Sequence, residues 1–113
     1  MLVVPGTAGL PCPLIPPFHF PTRFPTTPLP TASALGHSMF LRRSWRGPLS
    51  AMRIAAILRE AGLPYGVFNI VNGGQATVEA ICDHPDIEAI TFVGSTRVAK
   101  IVYRRGTSSL KRV

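Results

Sequence analysis

From Ser38 onward the apolar positions alternate between short runs and helical repeats. Ser38-Met-Phe-Leu-Arg42 is a compact apolar run and predicts a strand. Arg43 to Pro48 reads as a turn. Ser50 suits the cap of a helix over Ala51 to Ala61, where Ile54, Ile57, Leu58 and Ala61 recur at the helical period. Gly62 then stands where a helix commonly ends, and Pro64 stops any continuation. Val67 to Val71, rich in β-branched and aromatic residues, predicts a second strand. Gly73-Gly74 turns the chain into a shorter helix, Gln75 to Ile81, with Ala76, Val78 and Ile81 as its apolar residues. Asp83-His-Pro-Asp86 breaks it. Ala89 to Val93 predicts the third strand and Thr96 to Arg105 the third helix, ending at Gly106. Lys100, Arg104 and Arg105 lie toward that helix's carboxyl end, where they complement its dipole.

Strand and helix alternating three times is the pattern of an α/β fold with a parallel sheet, a partial Rossmann-like βαβαβα unit over residues 36–113. Residues 1–35 hold nine of the twelve prolines, and composition alone predicts a degenerate, extended or poorly ordered segment there. In open α/β sheets ligands bind beyond the carboxyl ends of the strands. Three such ends follow from the pattern: Arg42 to Arg46, Asn72 to Gly74, and Gly94 to Thr96.

Charge refines this picture. The 113 residues form one domain at most and carry a net charge of +7. Residues 1–59 hold six basic residues and no acid, residues 60–88 five acids and no base, and residues 89–113 six basic residues and no acid. No basic run exceeds two residues and none is interleaved with aromatics, which argues against a nucleic-acid surface. The first 22 residues are uncharged, but six prolines among them rule out a spanning helix, and no basic stretch opens the chain as in a signal peptide. Neither a nucleic acid nor a membrane is therefore an expected partner. Cys12 and Cys82 lie seventy residues apart, and His19, His37 and His84 are scattered, so neither a disulfide framework nor a metal site is expected.

Candidate chemistry gathers at the predicted strand ends. Gly94-Ser95-Thr96 lets backbone approach a phosphate, with helix amides and two hydroxyls as donors. The plainer alternative is that Thr96 caps the helix and Ser95 is solvated. No GxGxxG and no phosphate-loop lysine is present. Arg42, Arg43 and Arg46 make a cationic turn fit for a phosphate or ribose, or simply a solvated one. Trp45 is placed to stack on a base or to pack on its own domain. His19 is a possible acid–base group with no carboxylate or nucleophile near it in sequence. Cys82 reads as a small core residue.

These residues also carry a resemblance. IPPFHFP (15–21), AMRIAAILREAGLPYGVFNIVNG (51–73), ICDHPDIEAITFVGST (81–96) and RGTSSLKRV (105–113) resemble the aldehyde dehydrogenases, most closely their CoA-acylating methylmalonate-semialdehyde branch. The likeness runs from about Cys12 to Val113 and covers a small part of the family's length. It implies the coenzyme domain, with NAD on a Rossmann-like sheet that lacks GxGxxG. It implies that Gly94 and Ser95 meet the pyrophosphate, that Pro16 and Phe18 line the nicotinamide side, and that Arg42, Trp45 and Arg46 lie near the coenzyme. It also implies oxidation of a semialdehyde with NAD and transfer of the acyl group to coenzyme A, a step of valine catabolism. Family members are homo-oligomers, cytoplasmic in bacteria and in the mitochondrial matrix of eukaryotes.

Four departures stand out against the family pattern. His19 replaces an asparagine that stabilises the oxyanion. Arg42-Arg43 replaces Lys-Pro, whose lysine binds the adenosine ribose. Trp45 replaces a glutamate that accepts hydrogen bonds from ribose hydroxyls. Thr22 to Ala34 matches a family helix, yet its Pro28 and four threonines weaken helix formation. Neither Cys12 nor Cys82 matches the family's nucleophile, so the expectation is a coenzyme-domain fragment, inactive alone. The alternative is a truncated or decayed gene product without a catalytic role.

Overall fold

Four strands run parallel in the order β3-β2-β1-β4. The computed structural model describes residues 9–17, 22–43 and 49–113. In chain order the elements are β1 (Gly9–Ile15), α1 (Arg23–Thr26), α2 (Pro28–Ala34), β2 (His37–Arg43), α3 (Leu49–Glu60), β3 (Phe68–Asn72), α4 (Gln75–Asp83), β4 (Thr91–Phe92) and α5 (Thr96–Ser108).

The α/β architecture and the strands and helices after residue 36 follow the sequence pattern to within a few residues; of the expected turn from Arg43 to Pro48, Arg43 closes β2 and the rest lies outside the described residues. The proline-rich stretch departs from its expected form. Residues 9–15 form β1, an interior strand paired with β2 on one side and β4 on the other. Two of its residues are proline, which normally confines a strand to an edge. Here alternation resolves the conflict. The Ile15 carbonyl accepts from the Val93 amide at 3.1 Å, so the odd-numbered residues of β1 aim their backbone groups at β4. Pro11 and Pro13 share that side, and β4 pairs only with Leu14 and Ile15. Each proline's missing amide therefore falls where no partner strand lies, and the β2 ladder keeps its donors on Cys12 and Leu14. Composition registered the prolines but not the side of the strand they occupy.

A second correction concerns Thr22 to Ala34. It forms two short helices, α1 and α2, rather than a disordered stretch. Pro28 is the first residue of α2, and Pro25 and Pro30 also lie in first turns. Amides there have no helical partner, so proline costs little. Thr26 and Thr27 turn their hydroxyls back onto the Thr22 and Arg23 carbonyls at 2.9 and 2.8 Å.

Helices cover both faces of the sheet. Leu14, Met39 and Leu41 pack with Leu29 of α2, Ala51 and Leu58 of α3, and Phe68 and Ile70 of β3. On the other face Ile15, Phe40 and Phe92 pack with Val78, Ile81 and Cys82 of α4 and Val102 of α5. Side chains alternate along each strand, so neighbours such as Leu14 and Ile15 feed opposite clusters. Burying each such aliphatic side chain contributes roughly 2 kcal/mol. This two-sided burial is what a parallel sheet requires.

The third helix, expected over Thr96 to Arg105, runs three residues further, to Ser108. Gly106 is buried inside α5, where a Cβ would come within 2.7 Å of a Val113 methyl. The chain leaves the helix through Leu110, beyond the cap residue Ser109, with a φ of 59°. The Leu110 amide donates to Thr107 and the Lys111 amide to Gly106. Gly62, with φ of 90°, makes the same kind of closure after α3, as its sequence position predicted.

Candidate functional site

The chain steps from β1 to β2 to β3 in one direction, then returns to place β4 on the far side of β1. The order therefore reverses between β1 and β4. In open α/β sheets the crevice at such a reversal is where ligands bind. Its walls are the segments that follow Ile15 and Phe92: Pro16-Pro17 on one side and Val93-Gly94-Ser95 on the other. The Val93 amide to Ile15 carbonyl bond ties the two walls together at their base.

Ser95 is the N-cap residue of α5, and its hydroxyl makes no capping hydrogen bond. The first helical bond runs from the Ala99 amide to the Ser95 carbonyl, at 2.9 Å. The amides of Thr96, Arg97 and Val98 thus precede the helical ladder and carry the positive end of the dipole. Ser95 and Thr96 are exposed, so these donors face solvent. The plainer alternative has Thr96 as the cap; Thr96 is instead the first residue of α5 and Ser95 the N-cap, with its hydroxyl exposed as that alternative expects. At Gly94 a Cβ would come within 2.7 Å of the Phe92 ring, so glycine lets that ring tuck beneath the turn. The donor set, backbone amides plus one free hydroxyl at a helix N-terminus, fits a pyrophosphate.

At the neighbouring end of β2, Arg42 and Arg43 point to opposite faces. Arg43 is buried at 4 % exposure. Arg42 is half-buried, and its Nε is buried without a hydrogen-bond partner. Burial holds both guanidinium groups below their ordinary values, though an arginine remains charged. The other buried nitrogen without a partner among the described residues is Nδ1 of His37, at the opposite end of the same strand.

Of the residues singled out in the sequence, Pro16, Arg42, Gly94 and Ser95 stand along this one edge of the sheet. Phe18, His19, Trp45 and Arg46 lie outside the described residues. Val98, in the first turn of α5, is exposed just past Ser95. Cys12 and Cys82 are both pushed up by burial, Cys82 also by the neighbouring Asp83 charge, so neither is an activated thiolate. Among the described residues a cleft of about 730 Å³ lies beside Pro85, Glu88 and Leu110, away from this edge, and one of about 650 Å³ runs between α3 and β3 as far as Asn72.

Reversed strand order, helices on both faces and an open helix N-terminus at the crevice define a doubly wound α/β domain. A model of the aldehyde dehydrogenase family matches residues 10–113. The chain belongs to that family. The malonate-semialdehyde dehydrogenase of Lacticaseibacillus casei is 50% identical over 99 residues, 88% of this chain and 20% of that protein. A Sinorhizobium meliloti structure, described as a methylmalonate-semialdehyde dehydrogenase complexed with NAD, is 40% identical with a TM-score of 0.88, over 94% of this chain and 22% of that one. The methylmalonate-semialdehyde dehydrogenase of Oceanimonas doudoroffii gives 39% identity and a TM-score of 0.86, over 91% and 21%. The chain thus spans about a fifth of the length of these relatives.

Proposed function

We propose that these residues carry the coenzyme-binding edge of a CoA-acylating semialdehyde dehydrogenase. The single observation behind this reading is the open N-terminus of α5, with a free Ser95 hydroxyl, at the β1–β4 crevice. The Ser95 hydroxyl and the first α5 amides bind the coenzyme pyrophosphate, and Gly94 lets the phosphate approach. Pro16 and Phe18 line the nicotinamide side. Arg42 holds the adenosine ribose, with Trp45 and Arg46 beside it. The coenzyme, once bound, takes up the electrons released when the semialdehyde is oxidised to the acyl level. Coenzyme A then receives the acyl group. The chain's own residues bind and orient the dinucleotide.

The 113 residues by themselves do not turn over substrate, because neither cysteine matches the nucleophile that must hold the acyl group. Trp45, unable to accept a hydrogen bond from a ribose hydroxyl, leaves NAD held more weakly than in the relatives. The resemblance implies assembly as a homo-oligomer, and we extend that expectation to this protein.

Isothermal titration with NAD tests the site. Weak but saturable binding is expected, and Ser95→Ala should reduce the affinity about fivefold, the loss of one hydrogen bond of about 1 kcal/mol. An unchanged affinity in Ser95→Ala would overturn the pyrophosphate assignment. Micromolar NAD affinity in the unaltered chain would overturn the weakened ribose grip.

A further inference from the structure

β3 is the last strand on its side of the sheet, and among the described residues no strand pairs with its outer side. The Met39 amide donates to the Val67 carbonyl at 2.7 Å, and the Gly73 amide to the Arg43 carbonyl at 3.0 Å. The odd-numbered residues of this segment therefore aim their backbone groups at β2. Alternation turns the amides and carbonyls of Phe68, Ile70 and Asn72 outward. Border strands are commonly guarded by a lysine, a proline or a bulge, or are very short. Phe68-Asn-Ile-Val-Asn72 carries none of these guards. The opposite border differs: β4 has two residues, and Arg112 already bridges to Ala89 just before it.

The groove beside β3 is largely apolar. Helix α3 returns from β2 to β3, ends at the amino edge of the sheet, and packs Ala51 and Leu58 onto β2 and β3 side chains. Met52, Ala55 and Ala56 line the cleft of about 650 Å³ together with Phe68 and Ile70. Met52 is 56% exposed.

A second copy of the chain matches this border. A two-fold axis at Ile70 sets Phe68 opposite Asn72 and Ile70 opposite itself. Every outward amide then meets an outward carbonyl in antiparallel pairing. Helix spacing agrees. Strands lie about 4.8 Å apart and α3 covers β2 and β3, so two α3 helices would stand about 10 Å apart across the axis. That is the interaxial distance of packed helices, and Ala55 and Ala56 keep the contact face low enough for it. Charge agrees too. Arg53 and Glu60 are exposed and meet within one helix at only 4.0 Å. Reversing the second helix brings Arg53 of each copy toward Glu60 of the other. Arg59 is drawn aside over the Tyr65 ring, 6.0 Å from its centroid.

We propose that two copies of this chain pair antiparallel through β3, joining their sheets into one, with α3 packed on α3 across the axis. The inference is independent of the coenzyme reading, because the β1–β4 crevice lies on the other side of the sheet.

Sedimentation velocity of the full chain over micromolar to millimolar concentrations tests it. The 12.2 kDa monomer should give way to a dimer as concentration rises. Over the same range, hydrogen exchange of the Phe68, Ile70 and Asn72 amides should slow. Asn72 is exposed, and Asn72→Pro removes an outward amide without touching the β2 ladder. By symmetry two hydrogen bonds are lost, so the dimer should weaken about thirtyfold. Met52→Arg sets a second cation opposite Arg59 of the other copy and should abolish the dimer. Far-ultraviolet circular dichroism of both variants should match the unaltered chain. A monomer at every concentration would overturn the proposal and leave this border to a partner of different sequence. A dimer whose β3 amides exchange as fast as the monomer's, or one equally tight in both folded variants, would put the contact on another face and overturn it as well.

Discussion

The two edges of one sheet treat their polar groups in opposite ways. At the amino edge most of them satisfy one another, although the buried Nδ1 of His37 has no partner. Arg105 of α5 grips Asp83 of α4 through Nε and Nη2 at 2.8 and 2.7 Å and reaches Glu79 as well. The buried Lys111 donates to the His84 and Ile87 carbonyls at 2.5 and 2.6 Å. The Arg112 amide donates to Glu88, and its carbonyl accepts from Ile90. At the carboxyl edge the Ser95 hydroxyl and the first amides of α5 stay open, and the Arg42 Nε is buried without a partner. What separates scaffold from candidate site is whether the structure completes its own hydrogen bonds.

The largest test of this contrast is Lys111→Ala. Removing the ammonium leaves two carbonyls without their donor and opens a gap under the segment before β4. The loss of unfolding free energy should be about 2–3 kcal/mol, read from urea denaturation with an unchanged m-value. NAD affinity should not move, since Lys111 lies at the far edge. A stability loss below about 0.5 kcal/mol would show that the amino edge does not depend on these bonds.

Legibility in the sequence followed the same line. Helices α3, α4 and α5 and strands β3 and β4 emerged within a few residues of their places, because apolar periodicity reports directly on burial. β1 did not. Its signal was masked by Pro11 and Pro13, whose tolerance depends on which side of the strand β4 pairs, a tertiary fact. With β1 unseen, the strand reversal was unseen too, so the crevice beside Ser95 had no visible wall. Ser95 could still be nominated from a local turn motif. The orphaned Nε of Arg42 could not, since a free donor is known only once its surroundings are. Gly106 misled for a related reason: a glycine near a helix end suggests a stop, yet here it makes room for Val113.

Acid titration gives a smaller, signed test. The Asp83 carboxyl is held below its ordinary value, chiefly by its hydrogen bonds from Arg105, with burial working against them. Arg105 is raised by the same contact and stays charged throughout. A depressed carboxyl stabilises the fold above its unfolded value, about 3.9, and that contribution is lost as pH falls through the folded value. Thermal melts of the unaltered chain should therefore steepen in their decline below about pH 4, and those of Asp83→Asn should decline less. The pair is exposed, so raising the salt concentration should shrink the difference. Identical acid profiles would remove Asp83 from the account of the amino edge.

The smallest effect probes a helix end where the amino edge is satisfied at a cost. Leu110 occupies the left-handed position that closes α5, and its side chain is 96% exposed, so it contributes almost no packing there. Gly62 closes α3 in the same conformation without a Cβ. A non-glycine residue in that region costs about 1–2 kcal/mol, and the extra freedom glycine gives the unfolded chain returns part of this. Leu110→Gly should accordingly stabilise the fold by about 0.5 kcal/mol, a rise in Tm of about 2–4 °C. Gly62→Ala should move it the opposite way, because alanine would bring to α3 the strain that Leu110 already places on α5. If Leu110→Gly lowers Tm instead, then the leucine side chain is covered in solution, and the closure of α5 is held by a contact rather than by its two backbone hydrogen bonds.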